Sequence, residues 1–339
     1  MKNKIRVIPL LLILLSKSEL YAFKPDSSIY LANRLLAKTI NIGYVIEPEK
    51  AAGVKDSLFK QFGKLKDLGF TAVRLPINWY SATDTSENLN IQESFVKLID
   101  QIVERARVLH LSLILDNQSD EQLMNNPAIY GARIMALWEY LSDHYKRFSD
   151  SLMFELLAEP HGNLNSSWNS LINELLQRVR VNNPHRPVIV GPANFNRPDF
   201  LNQLQLPAGD RYIIVSFHQY NPVKFTMQGE TWFPFGKPLE WLGTVWPQKG
   251  DQEYLAGLFD RVDTWAKVNH RPVFLGEFGV SSMADTASAV RWIRFNRNEA
   301  DKKGFSWGFW SCFGVEFSLF HAETQSWNTR FIEALMVSN

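Results

Sequence analysis

The chain holds a single cysteine, Cys312, among its 339 residues, which excludes an intrachain disulfide and any metal site built on paired thiolates. A core of this size needs no covalent staple. The seven histidines show neither an HExxH pattern nor another close ligand spacing. There is no glycine-rich phosphate loop, internal repeat, heptad run or Pro/Ser-rich linker. No metal site is therefore signalled. The formal net charge is only +1, so no field of one sign directs the chain to nucleic acid or to an anionic membrane.

What is present is an ordinary globular balance, 45% hydrophobic and 21% charged, with an aromatic share of 13% that includes eleven tryptophans. Buried rings account for most of such a surplus, and exposed tryptophan platforms that stack on sugars are the other use. The first 22 residues read as a secretory signal. Lys2, Lys4 and Arg6 precede the apolar run "VIPLLLILL" (Val7–Leu15), which is too short to span a bilayer. "LYA" ending at Ala22 offers a cleavage site, with Leu20 larger than usual for its position; a short retained anchor is the alternative. The expectation is an exported protein, secreted or periplasmic. Residues 23–339 then form one domain, monomeric and free of the membrane once the signal is removed.

Beyond the signal, short apolar strands alternate with longer helical patterns. Strands are expected at Asn41–Ile46, Ala72–Pro76, Ser112–Asn117, Leu152–Glu159, Val188–Ala193, Ile213–Tyr220, Val273–Phe278 and Phe305–Trp310. Helices are expected at Asp56–Leu68, Glu93–Leu109, Arg133–Arg147, Ser167–Asn182, Glu253–Asn269, Ala287–Lys303 and Asn328–Met336. Several strands are continuous apolar runs, which suits parallel strands covered on both faces. The alternation predicts an α/β fold, a (β/α)8 TIM barrel, with a doubly wound open sheet as the alternative. The stretch from Asn221 to Gly250 is long for a loop and holds Trp232, Trp241 and Trp246.

In such a barrel, chemistry collects where strands end. The strand-end residues include Arg74, Glu159, His218, Tyr220, Glu277 and Trp310. Taken singly, a strand-end glutamate is more often an ion-pair partner or a cap. Arg74 is then a structural ion-pair partner, and His218, Tyr220 and Trp310 are core. Taken together, two carboxylates at one rim suit glycoside hydrolysis, in which one gives a proton to the leaving oxygen and the other is ionised. Arg74 and the Tyr220 hydroxyl are suited to hold Glu277 ionised, and the charge on Glu277 would keep Glu159 protonated.

The pieces "FTAVRLPINW", "FELLAEPHGNL", "VSFHQYNPVKFTMQGETW", "RPVFLGEFGV" and "WGFWSCFG" carry a resemblance to glycoside hydrolase family 5, cellulase family A, in its bacterial endoglucanase and mannanase branch. It runs from "INIGYVIE" at Ile40 through "SWNTRFIEAL" at Ser326. The resemblance implies Glu159 as acid/base and Glu277 as nucleophile, with Arg74 and Tyr220 positioning Glu277 and His218 standing near the acid/base. Trp310 would form a sugar platform beside the cleaved bond, Glu47 would reach sugar hydroxyls further out, and Trp232 joins the substrate-binding set. The implied partner is a β-linked oligo- or polysaccharide, cleaved with retention by acids about 5–5.5 Å apart. No cofactor is implied.

Three departures stand against the match. Ala158 replaces the asparagine that normally precedes the acid/base and holds the sugar 2-hydroxyl. Gln118 and Ser119 replace a His-His pair, and Tyr44 stands where asparagine is frequent. Three outcomes remain open from these residues. One is an active but weakened β-1,4-glycanase in which Gln118 or Tyr44 replaces the lost contact. Another is an enzyme for a sugar substituted at the 2-position, such as a 2-acetamido glycan. The third is a glycan-binding barrel that has lost catalysis.

Overall fold

The structure, a computed structural model, describes residues 27–337 except 84–89, 119 and 315. The segment read as a signal and Ser119 lie outside the described residues. Eight parallel strands follow one another around a closed barrel in chain order. They are β1 (Lys38–Asn41), β2 (Ala72–Ile77), β3 (Ser112–Asn117), β4 (Leu152–Glu155), β5 (Val188–Val190), β6 (Ile213–Gln219), β7 (Val273–Phe278) and β8 (Ser306–Phe309). The register of Thr39 with Gly308 and of Ile40 with Phe309 joins β1 to β8 and removes the edges that a doubly wound sheet would have.

The apolar runs are continuous because both faces of each strand are covered. In β2, Val73, Leu75 and Ile77 belong to the large outer cluster shared with the helices, while Ala72 belongs to a smaller inner one. The inner cluster holds Ile114, Met153, Ile189, Ile214 and Phe274, one side chain from each of five further strands. The helices present apolar residues at spacings of three and four, such as Phe95, Val96, Ile99, Ile102, Val103 and Ala106 in Glu93–Val108. Helix Thr286–Lys303 starts at Asp285, whose carboxylate accepts from Ser288 N (2.8 Å), and stops at Gly304 in the left-handed region (φ 68°). Helix Pro127–His144 begins earlier than its apolar pattern, because proline is well suited to a first helical turn.

Among the elements that were not expected, one closes the barrel. Helix Ser27–Leu35 caps the N-terminal mouth of the barrel. Ile29, Ala32 and Leu36 join the inner cluster, and the Asn33 amide donates to Val273 O (3.1 Å) and accepts from Ser306 Oγ (2.7 Å). The barrel is thus plugged by apolar atoms at one end and left to polar groups at the other. Strand limits also differ from expectation at the polar end: β1 stops at Asn41 and β4 at Glu155. Glu159 is therefore a loop residue and not the last residue of a strand.

This division predicts separable effects. Leu36 is 0% exposed in the plug. Leu36→Ala should lower unfolding free energy by about 2–5 kcal/mol in a denaturant titration. Turnover of the folded fraction should be unchanged, and a parallel loss of turnover would contradict the division.

Candidate active site

The inward positions at the C-terminal ends of the strands are polar. Asn41, Arg74, Asp116, Glu155, His218 and Glu277 all lie there, and all are buried. Arg74 is the hub. Its Nε and Nη2 donate to Glu155 (2.5 and 3.1 Å), and its Nη1 donates to Glu277 Oε1 (2.8 Å) and to Asn41 Oδ1 (2.9 Å). Nη2 also lies 3.1 Å from Asp116 Oδ2. One guanidinium therefore faces three buried carboxyl groups, and three charges in a dry site cannot be balanced by one. Burial raises Asp116 well above the ordinary range, and the attraction of Arg74 does not overcome it. Asp116 is accordingly a carboxyl that keeps its proton well above the ordinary aspartate range despite its short distance to Arg74.

Glu277 reaches this cluster through a break in the strand pairing. Phe217 pairs with Leu275, but His218 pairs with Glu277, so Gly276 is the extra residue of a bulge. Under strict alternation Glu277 would share the outer face with Leu275; the bulge turns it inward. Only glycine fits at 276, since a Cβ there would lie 2.4 Å from Ser216 Oγ. Tyr220 Oη donates to Glu277 Oε2 (2.9 Å), which completes the cradle. Burial alone would raise Glu277, but the charges of His218 and Arg74 and the Tyr220 hydrogen bond outweigh it and hold the carboxyl below its usual range.

Glu159 comes from the loop after β4 with a left-handed backbone (φ 50°). Its neighbours fix it from both sides: Ala158 N donates to Asn117 O (2.9 Å), and Phe195 N donates to Pro160 O (3.1 Å). One Glu159 oxygen lies 2.8 Å from His218 Nδ1, which is also 3.6 Å from Glu277 Oε2. Burial opposes charge on His218, but the facing carboxylates of Glu277 and Glu159 prevail and raise it. The Glu159 side chain is 33% exposed and that of Glu277 only 5%, so one carboxyl faces the opening and the other is sealed. Donor atoms of Glu159, His218 and Glu277 lie within 4.8 Å of one another. Each is already committed to a hydrogen-bonded neighbour, an arrangement for moving protons.

The structure thus brings together Glu159, Glu277, Arg74, His218 and Tyr220. Trp310, Glu47 and Trp232 stand outside that cluster. Trp310 is half-buried, and its backbone N–H donates to Phe278 O (2.9 Å). Glu47 accepts from Lys50 (2.8 Å) and Asn78 (3.2 Å). Trp232 is 56% exposed, with its indole N–H held by Glu230 (2.8 Å). Ring contacts run from Tyr220, which bonds Glu277, through Phe317, Trp232, Phe233, Phe235 and Phe195 to His161, two residues after Glu159.

Of the departing residues, Tyr44 is turned away. It stacks on Phe313 at 5.7 Å, its hydroxyl bonds Ser57, and burial pushes it up to about 12. Gln118 keeps a buried Oε1 without a partner, beside the strand end against which Ala158 is held. Sequence reasoning missed Asn41, Asp116, Glu155 and Asn196. Glu155 and Asp116 carried a signal, as charged residues inside otherwise apolar strands; Asn41 and Asn196 carried none.

A closed (β/α)8 barrel with two carboxyl groups in opposed environments at its C-terminal mouth defines a glycosidase-type site. Residues 55–314 match the family model described as Cellulase (glycosyl hydrolase family 5), and the chain belongs to this family. It is 27% identical over 309 residues to Endoglucanase H of Acetivibrio thermocellus, covering 89% of this chain and 33% of that protein. The chain thus spans about a third of that relative's length. Cellodextrinase A of Ruminococcus flavefaciens is 26% identical over 291 residues, covering 81% of this chain and 85% of that protein. The structure of Thermotoga maritima Cel5A in complex with cellobiose superposes with a TM-score of 0.85 at 33% identity, covering 92% of this chain and 100% of that one.

The neutral state of Asp116 has a testable sign. Below the ordinary aspartate range, near pH 3.9, both folded and unfolded chains hold the proton and nothing differs. Above it the unfolded chain releases the proton and the folded chain does not, so Asp116 lowers stability increasingly as pH rises toward its folded value. Asp116→Asn should therefore raise Tm by about 2–5 °C at pH 7–8, with the gain vanishing near pH 3.5. Equal destabilisation at every pH would show that Asp116 is charged and needed by Arg74.

Proposed function

We propose that this chain is a retaining endo-β-1,4-glycanase acting on β-glucan or mannan, with Glu277 as nucleophile and Glu159 as acid/base. The observation that carries this reading is the pairing of a sealed, doubly braced Glu277 with a half-open Glu159 within 4.8 Å. One oxygen of each acid lying that close suits direct attack, for which the carboxyls stand about 5–5.5 Å apart, better than an inverting site, which needs roughly 6.5–9.5 Å for an interposed water. Glu159 protonates the glycosidic oxygen while Glu277 attacks the anomeric carbon. The C–O bond breaks, the aglycone leaves with the proton, and a glycosyl ester forms on Glu277. Glu159, now a carboxylate, takes a proton from water, whose oxygen displaces Glu277 with net retention.

The substrate class draws support from the Thermotoga maritima protein, whose structures are titled as complexes with cellobiose and with mannotriose. Trp232, Trp310 and Glu47 bind sugar on either side of the cleaved bond. Gln118 takes over the polar contact that Ala158 cannot make, which its unpartnered Oε1 permits. The N-terminal signal exports the chain to the periplasm or beyond the cell, leaving a domain that starts at Phe23. Among the described residues no helix is long and apolar enough to cross a membrane. The loss of the Ala158-position amide favours one second reading, a barrel that binds glycans with little turnover.

The experiment is digestion of β-linked gluco-, manno- and 2-acetamido-oligosaccharides, with product anomers followed by NMR. Glu277→Gln should abolish products. Glu159→Ala should lower turnover of natural oligosaccharides by about 10²–10⁴-fold. It should spare the first step on aryl glycosides whose leaving group needs no proton. Gln118→Ala should lower kcat/KM by about tenfold, the scale of one hydrogen bond. No products from any sugar, with equal binding by wild type and Glu277→Gln, would overturn the enzyme reading in favour of the binding barrel.

A further inference from the structure

Asn196 lies in the loop after β5, in the third of three consecutive left-handed residues, none of them glycine: Asn194 (φ 59°), Phe195 (φ 63°) and Asn196 (φ 52°). Such a run is unfavourable for L-residues and persists only where its surroundings fix it. Here Asn165 both donates to the Asn194 side chain (3.1 Å) and accepts from Asn194 N (3.0 Å). The run is thereby tied to both halves of the acid/base pair. Phe195 N–H donates to Pro160 O (3.1 Å), next to Glu159, and its ring stacks on His161 at 4.3 Å. Asn196 O accepts from His218 N (2.9 Å).

The Asn196 side chain is fully buried and faces the far side of the His218 ring. Its Nδ2 is 3.2 Å from His218 Nε2, and its Oδ1 has no partner. Gly191 makes room for it, since a Cβ there would lie 2.3 Å from that Oδ1. His218 Nδ1 already faces Glu159 and Glu277. A neutral ring with Nδ1–H donating to Glu159 leaves Nε2 a lone pair, which accepts from the Asn196 N–H. A proton on Nε2 requires an acceptor, and a half-turn of the same amide supplies Oδ1. The two amide orientations are nearly isosteric, so the exchange needs little space.

We propose that Asn196 is a positioning residue of the acid/base pair: its amide selects which nitrogen of His218 holds the mobile proton and thereby sets when Glu159 holds one. With Asn196 Oδ1 toward Nε2–H, Nδ1 is an acceptor and Glu159 keeps the proton it must donate. With Nδ2 toward Nε2, Nδ1–H donates to the Glu159 carboxylate that serves as base in the second step. The proton that titrates from the pair is lost on the Asn196 side. This inference rests on Glu159 acting as acid/base. The other charged or titratable groups facing the ring are Glu277 from β7, Arg74 from β2, Tyr220 beyond the end of β6 and, more remotely, Asp116 from β3; none lies against Nε2.

The test uses 15N-histidine NMR of the wild-type protein, with Asn196→Asp and Asn196→Leu beside it. In wild type, as pH rises through the titration, the Nε2 resonance should shift from N–H to lone-pair values and the Nδ1 resonance the opposite way, from acceptor to N–H. Asn196→Asp offers only acceptors and should raise the His218 midpoint, and Asn196→Leu offers none and should lower it. The alkaline limb of kcat/KM should follow, about one pH unit up and one down. A merely structural role would reduce activity in both variants without moving the limb in opposite directions. Loss of a wild-type Nδ1 proton as pH rises, or coincident midpoints in all three folded proteins, would overturn the proposal. The wild-type titration stands if neither variant folds. Because NMR needs no turnover, an inactive protein with the expected Nε2 titration would sink the glycosidase reading and leave the Asn196–His218 coupling intact.

Discussion

Arg74 carries its charge at the centre of the barrel, 0% exposed, with Asn41, Asp116, Glu155 and Glu277 arranged around it. A buried guanidinium is stable only if opposite charge and acceptors surround it, and the reverse holds for each carboxylate. That mutual dependence fixes the chemistry above it. Glu155 grips Arg74 with both oxygens and sets the plane of the guanidinium. The remaining Nη1 is then aimed at Glu277, whose second oxygen is left to Tyr220. The negative charge of Glu277 in turn bears on His218, and His218 holds Glu159. A chain of polar contacts thus runs from the barrel axis to the half-exposed carboxyl at its mouth.

The two glutamates reach this chain by different backbone devices. Glu277 stays on its strand but is turned inward by a bulge that only glycine at 276 allows. Glu159 leaves its strand altogether and is held in a left-handed conformation by the β3 end on one side and the β5 loop on the other. Local strain of this kind is typical where a side chain must be aimed. The plug helix at the opposite end has no residue in the left-handed region and supplies apolar packing and an asparagine clamp. Stability and chemistry therefore occupy opposite mouths of one barrel, as the fold class leads one to expect.

Ala158 stands where the family pattern has an asparagine. The contacts that brace Glu277, from Arg74 and Tyr220, do not involve position 158. Tyr44 is engaged by Ser57 and Phe313. Among the departing residues that are described, Gln118 lies next to the Asn117 carbonyl that holds Ala158 and keeps an acceptor without a partner. A run of aromatic ring contacts links Tyr220 to His161.

The barrel and most of the residues that meet in its candidate site were legible in the sequence. Continuous apolar runs alternating with amphipathic segments determine a parallel sheet covered on both faces, and "FELLAEP" and "FLGEFG" mark two carboxylates among apolar residues. The plug helix was not legible, because nine residues with a few apolar positions signal nothing until the hole they fill exists. The inward turn of Glu277 was not legible either, since period-two alternation puts it on the wrong face. Asp116 and Glu155 show in sequence only as polar interruptions; their roles follow from converging on Arg74 across strands far apart in the chain. Asn196 is the extreme case. Composition and spacing determine that this chain closes a barrel and sends carboxylates to its mouth. Which nitrogen faces which oxygen is decided only by tertiary structure, because bulges, left-handed turns and shared burial of charge exist between segments and not within them.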